Sequence, residues 1–81
     1  MTSSRFPMVP TDPRVRNYTE DHIRTLLAEV RERGRKYGLI FPSAGTDKTI
    51  DGRVLVCFNT APASTLLNLL VLLLEADRDA A

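Results

Sequence analysis

The sequence predicts a small α+β domain in which a helix, two or three short strands and a second, highly apolar helix follow one another. Three observations support this fold class: apolar residues at helical spacing over 20–37, a β-branched and aromatic run over 53–58, and a nearly unbroken leucine run over 66–74. A chain of 81 residues suits one domain. We expect residues 18–81 to form that domain and residues 1–17 to form an extended or disordered N-terminal arm.

The prediction of an N-terminal arm depends on its prolines. Pro7, Pro10 and Pro13 oppose regular helix and favour extended backbone. The apolar residues among them follow no period. Two interpretations are open: a disordered tail, and an extended strap that lies across a neighbouring subunit.

The first helix is predicted to begin near Thr19, which is a good N-cap residue. Glu20 and Asp21 follow in the first turn, where the helix dipole favours acidic side chains. The helix should end between Gly34 and Gly38, because glycine commonly terminates helices.

Three segments, 38–42, 46–50 and 53–58, have the composition of short strands and would form an antiparallel hairpin or small meander. Asp51-Gly52 is a hairpin signal, because both residues tolerate the positive φ that a tight two-residue turn requires. The last of these strands is apolar on both faces, so we expect it to be covered on both sides.

The second helix follows Asn59 or Thr60 as N-cap, with Pro62 in its first turn. Its leucine run leaves only a narrow polar seam, and a helix that is apolar nearly all round must be covered on most sides. We expect both helices to pack on one side of the sheet, or the last helix to pack against its symmetry mate in a two-fold dimer. The predicted oligomer interface consists of Leu66, Leu67, Asn68, Leu69, Leu70, Val71, Leu73 and Leu74.

Asn68 is the polar residue within this run. One interpretation is that its amide fixes the register or number of chains in a leucine interface, at some cost in stability. The other is that it faces water along the polar seam.

Basic residues mark the second candidate surface, which would either contact phosphates or an acidic partner or form an ordinary solvated face balanced by Glu29 and Glu32. Its members are Arg24, Arg31, Arg35, Lys36 and Lys48. The formal net charge of +1 argues against a strong general affinity for nucleic acid or anionic membrane. Lys48 follows Asp47 and lacks the earlier glycine of a phosphate-binding loop, so we do not predict a nucleotide site there.

The sequence contains one cysteine, Cys57, and one histidine, His22. It therefore predicts no internal disulfide, no zinc site and no other cofactor, and neither residue belongs to a recognisable catalytic group. The leucine run is shorter than the ~20 apolar residues that span a bilayer, and the first residues lack the apolar core of a signal peptide. We expect a cytoplasmic protein that is not an enzyme.

Three functional hypotheses follow from these features. The leading one is a small accessory protein with an interaction or regulatory role, acting as a homo-oligomer through its leucine-rich helix. The second is a nucleic-acid-binding dimer that uses the arginine-rich first helix. The third is a binder of a small molecule or nucleotide at a site shared between subunits.

Overall fold

The computed structural model describes residues 7–80, which form two α-helices, two 3-10 helices and one antiparallel hairpin. In chain order the elements are a first 3-10 helix (Pro13–Asn17), α1 (Glu20–Gly34), a second 3-10 helix (Arg35–Tyr37), β1 (Gly45–Ile50), β2 (Arg53–Cys57) and α2 (Ala63–Ala80). The fold class is α+β, as the sequence predicts.

The predicted limits of the first helix are confirmed. The backbone N–H of His22 donates to Thr19 Oγ1 at 3.2 Å, which makes Thr19 the N-cap of α1. After Gly34 the backbone tightens into the second 3-10 helix, and it leaves the helical conformation at Gly38, where φ is +78°. Glycine adopts this left-handed conformation without steric cost.

The hairpin forms around the predicted turn. Asp51 and Gly52 both have positive φ, +53° and +75°, as a type I′ turn requires. The register pairs Ile50 with Arg53 next to the turn, and one extra residue of β1 is inserted between Thr46 and Thr49. Such a bulge increases the local twist of the hairpin.

The prediction of a strand over 38–42 is wrong, because this segment pairs with no strand among the described residues. Its backbone instead runs beside α2, where the peptide groups of Ile40 bond to the side chain of Thr65. The local composition of the segment favours a strand, but the partner of its backbone is the side chain of Thr65, 25 residues along the chain in α2.

Within the described part of the N-terminal arm, Pro13–Asn17 form the first 3-10 helix. Asp12 accepts a hydrogen bond from the backbone N–H of Arg14 at 2.9 Å and caps the first 3-10 helix, with Pro13 at its first position. This helix lies against β2 of its own chain, and Arg53 Nη1 donates to the Pro10 carbonyl at 2.8 Å. The predictions for residues 1–6 lie outside the described residues.

The apolar core is small, and it lies between α1 and the hairpin. Leu27 is the one large apolar side chain in the described part of the chain with less than a tenth of its surface exposed. Within residues 7–80 the expected cover on both faces of β2 is incomplete, since Leu55 and Val56 are each 37% exposed.

Packing of both helices on the sheet is also not observed. Among the elements described, α2 approaches only the second 3-10 helix and neither strand. The molecule is consequently flat, with extents of 35 × 33 × 16 Å.

Candidate interaction surface

α2 has one side that faces its own chain and one side that faces solvent. The inward side carries Thr65, Asn68 and Leu72, which are spaced three and four residues apart and so lie above one another on the helix. All three are at least partly buried. Thr65 and Asn68 bond to the segment 38–40, which lies between α1 and the hairpin.

Two polar side chains attach α2 to this segment. Thr65, only 3% exposed, bonds through its hydroxyl to both backbone groups of Ile40. One turn further, Asn68 Nδ2 donates to the Gly38 carbonyl at 3.0 Å. These bonds satisfy backbone groups that would otherwise lack partners beside the helix.

The structure gives Asn68 a role that neither sequence interpretation contained. The residue is half-buried against Gly38 of its own chain, on the side of α2 opposite to the exposed leucines. Asn68 therefore helps to attach α2 to its own chain. The spacing to Thr65 was the available signal, because two polar residues three apart on an apolar helix mark a common side.

Between residues 66 and 74 the solvent side of α2 is entirely aliphatic, and we call this part the leucine surface. Each of its members is more than half exposed: Leu66 69%, Leu67 62%, Leu70 53%, Val71 52%, Leu73 55% and Leu74 57%. Leu69, at 36%, lies at its edge. Leu66 and Leu73, like Leu67 and Leu74, are seven residues apart, so the surface is one continuous stripe along the helix.

Other apolar side chains are also exposed outside α2. Leu26 and Val30 on α1 are 45% and 49% exposed, on the flank of the stripe that includes the buried Leu27. Single exposed apolar residues are ordinary on protein surfaces. A contiguous stripe of six on one helix is not, because large exposed apolar patches mark interaction sites.

The structure does not gather the predicted basic contacts into one free cluster. Arg24 pairs with Glu20 at 2.7 Å, and Arg35 pairs with Glu32 at 3.4 Å. Lys36 Nζ lies 5.4 Å from the centre of the Tyr37 ring. Arg24 and Arg35 are thus paired with acidic side chains, and Lys36 lies over an aromatic ring. All of these partners are near neighbours in the same stretch of the chain.

Two of the basic residues do share a feature. Arg31 and Arg35 line a small cleft of about 110 Å³ with residues 39–42, and Arg31 Nη2 donates to the Pro42 carbonyl at 3.3 Å. Lys48 lies apart from them in sequence, on the exposed part of β1.

The histidine and the cysteine lie on different elements, α1 and β2. His22 is exposed and meets the Tyr18 ring edge-on at 6.4 Å, and Cys57 is half-buried on β2. No group of three or more His, Cys, Asp or Glu side chains that could hold a metal ion occurs within residues 7–80. In the same part of the chain, no helix has the length and apolar character needed to cross a membrane.

Comparisons with protein-family models, with curated proteins and with solved structures found no match to this chain. Nothing in these comparisons or in the described residues indicates an enzymatic activity.

Proposed function

We propose that this chain is a small non-enzymatic interaction or regulatory protein that acts as a homo-oligomer through the leucine surface of α2. The observation that supports the proposal is the imbalance of burial. Six large aliphatic residues of α2 are more than half exposed, whereas Leu27 is the single large apolar side chain buried among the described residues. Apolar burial is the main favourable term in folding, so a second chain that covers α2 would supply what one chain lacks.

The amount of exposed surface matches what a homodimer buries. The accessible surface of the chain is 6704 Å², whereas a compact monomer of 9.0 kDa is expected to expose about 4,900 Å². The excess is about 1,800 Å² per chain, and obligate homodimers bury about 1,000–2,500 Å² per subunit.

The shape of the chain supports the same proposal. The radius of gyration is 14.4 Å, compared with about 12 Å for a compact domain of this length. The molecule is flat, with a smallest dimension of 16 Å, and among the described elements α2 approaches only the second 3-10 helix. Since stable domains consist of at least two packed layers, a second copy would supply the layer that α2 lacks on its exposed side.

The proposal is tested by sedimentation at micromolar concentration, with Leu70→Asp as the disruptive variant. We expect the wild-type chain to sediment as a dimer or larger oligomer and Leu70→Asp to dissociate or unfold. Leu26→Asp is the matched control, because it makes the same change at a leucine of similar exposure, 45% against 53% for Leu70, on α1 and outside the leucine surface. A compact wild-type monomer, or an associated Leu70→Asp variant, would contradict the proposal.

The nucleic-acid alternative has less support. Arg24, Arg33 and Arg35 are all paired with acidic side chains of α1, so they contribute little net charge to a phosphate-binding surface. The absence of binding at low salt would eliminate this alternative, and affinity that falls steeply with salt would favour it.

The compartment and the role of the assembly are part of the proposal. The single cysteine, Cys57, fits a reducing compartment, and we propose the cytoplasm. Identification of further partners requires a pull-down from the native host, with Leu70→Asp as the reference bait.

A further inference from the structure

We propose that the cleft between the end of α1 and the segment 39–42 binds a small aliphatic carboxylate, held between the guanidinium groups of Arg31 and Arg35. The site is formed within one chain, so it goes beyond the proposed homo-oligomer and does not depend on it. Three features support the site: the environment of Arg31, the hydrogen-bond donors around the cleft, and its size and apolar walls.

Arg31 differs from the neighbouring arginines in its partners. Arg24, Arg33 and Arg35 are exposed, and each forms an ion pair with an acidic side chain. Arg31 is partly buried, and it forms no ion pair with an acidic side chain among residues 7–80. Because removal of a charge from water is costly without an opposite charge nearby, Arg31 is suited to an anionic ligand.

The sequence of α1 explains why Arg31 has no acidic neighbour on its own helix. The side chains that face it, three and four positions away, are Leu27, Ala28, Gly34 and Arg35. The one charged residue among them has the same sign, and like charges at this spacing repel. An anion bound between the two guanidinium groups would replace this repulsion with two attractions.

Both guanidinium groups keep N–H groups for a ligand. Arg31 Nη2 donates to the carbonyl of Pro42 at 3.3 Å, which ties the side chain to the wall of the cleft and is its one hydrogen bond within the described residues. Arg35 pairs with Glu32 at 3.4 Å, but these side chains are 70% and 72% exposed, and an exposed ion pair is weak. Since a guanidinium carries five N–H donors, a ligand can bind both arginines while the contact with Pro42 is kept.

The donors around the cleft suit a carboxylate better than a phosphate. The backbone N–H groups of Gly38, Leu39 and Ile40 already donate to acceptors within the chain, and Pro42 has no N–H group. Phosphate sites usually combine cationic side chains with several backbone N–H groups. The planar fork of a guanidinium, in contrast, matches the two oxygens of a carboxylate without help from the backbone.

The size and the walls of the cleft limit the rest of the ligand. Its volume is about 110 Å³, whereas pockets for drug-sized ligands measure about 300–1,000 Å³. Apart from the two arginines, its lining is apolar and consists of Leu39, Ile40, Phe41 and Pro42. A short alkyl group beside the carboxylate would therefore lose its contact with water against these side chains.

Contacts elsewhere in the chain fix these walls. Ile40 bonds through both backbone groups to Thr65, and the ring of Phe41 lies 5.2 Å from the ring of Phe58. A site with walls already in place loses less conformational freedom when a ligand binds.

Butyrate is the probe, because it joins a carboxylate to a short alkyl chain. We expect it to shift the Nε–Hε NMR signals of Arg31 and Arg35, with a dissociation constant on the order of 1 mM for so small a ligand. Its methyl group should give nuclear Overhauser effects to Leu39 or Phe41.

Arg31→Gln should weaken the binding of butyrate at least about tenfold, because the fork and the charge are lost. The glutamine amide can still donate to the Pro42 carbonyl, so the variant need not disturb the wall. Arg33→Gln is the matched control, since Arg33 is paired with Glu29 on α1 and does not line the cleft. We expect it to change the affinity less than about twofold.

Butanol and inorganic phosphate test the two parts of the ligand separately, and each should bind at least about tenfold more weakly than butyrate. Equal affinity for phosphate would show general attraction of anions and would reject the carboxylate site. Equal affinity of wild type and Arg31→Gln for butyrate, or unshifted Arg31 signals in excess butyrate, would reject it as well. If Arg31→Gln fails to fold, the wild-type titrations alone decide. A monomer in sedimentation would reject the homo-oligomer only, because one chain forms the cleft.

Discussion

The hydroxyl of Thr65 bonds to both backbone groups of Ile40: it accepts from the Ile40 N–H and donates to the Ile40 carbonyl, each at 3.0 Å. The pair resembles one rung of a β-ladder in which a side chain replaces the second strand. α2 is therefore joined to its own chain in large part by polar contacts. Its aliphatic residues remain available for a second chain, and this division between the two sides of α2 underlies the proposed homo-oligomer.

Replacing Thr65 by valine should destabilise the attachment of α2. Valine has nearly the same shape but no hydroxyl, so both backbone groups of Ile40 would lose their partner. At about 0.5–1.5 kcal/mol for each hydrogen bond, we expect the free energy of unfolding to fall by about 1–3 kcal/mol. Urea denaturation at fixed protein concentration measures the change. Thr65→Ser retains the hydroxyl and should lose less than about 1 kcal/mol; equal losses in the two variants would show that the hydroxyl contributes little.

Gly38→Ala should destabilise the chain by about 2–3 kcal/mol. Its φ of +78° is costly for a residue with a Cβ, and the added Cβ would overlap the amide nitrogen of Asn68. Displacement of that amide would also break its bond to the Gly38 carbonyl. Gly45→Ala is the control, since a Cβ there meets no atom within 4 Å.

A double-mutant cycle separates the two costs of Gly38→Ala. Asn68→Ala removes the overlap but leaves the backbone strain, so the double variant should lose less than the sum of the single variants. Strict additivity in denaturation experiments would mean that the side chain of Asn68 moves away without cost.

The sequence predicts best those elements whose causes are local. The N-cap Thr19 and the turn Asp51-Gly52 act through their immediate neighbours, and both occur where predicted. The first 3-10 helix also had a local signal, since Asp12 followed by Pro13 is a cap followed by a proline at the first helical position. The three prolines of this segment also favour extended backbone, and that preference competes with the cap signal in the sequence.

The remaining differences arise from contacts between distant parts of the chain. The segment 38–42 has the composition of a strand, but Thr65 takes the place of a neighbouring strand. Asn68 likewise donates to the carbonyl of Gly38, 30 residues earlier in the chain. The leucines around Asn68 give no indication of this contact. The exposed leucines agree with the periodicity of the sequence, whereas their partner stays a prediction.

The pKa of Asp12 provides a test of the first 3-10 helix. Hydrogen bonds from the side chain and backbone of Arg14 lower the pKa of this carboxyl from 3.8 to about 2. The ionised form is therefore favoured by folding, so its contribution is complete above about pH 4 and is lost as the pH falls through about 2. A carbon-13 titration of the carboxyl by NMR measures this directly. Arg14→Ala should return the pKa toward 3.8, and Arg16→Ala, which removes a neighbouring arginine without that bond, should not.

The thermal unfolding midpoint should rise with protein concentration if folding and association are coupled. A single chain buries little apolar surface, so mass action would stabilise the folded dimer against the unfolded monomer. Each tenfold increase in concentration adds about 1.4 kcal/mol, which corresponds to roughly 3–6 °C for a dimer of this size. Circular dichroism melts over a roughly hundredfold range of micromolar protein concentration would measure the shift. If this shift is absent in the Leu70→Asp variant, stability depends on the leucine surface. A midpoint that does not change with concentration would mean that the leucine surface tolerates solvent and that Thr65 and Asn68 alone hold α2.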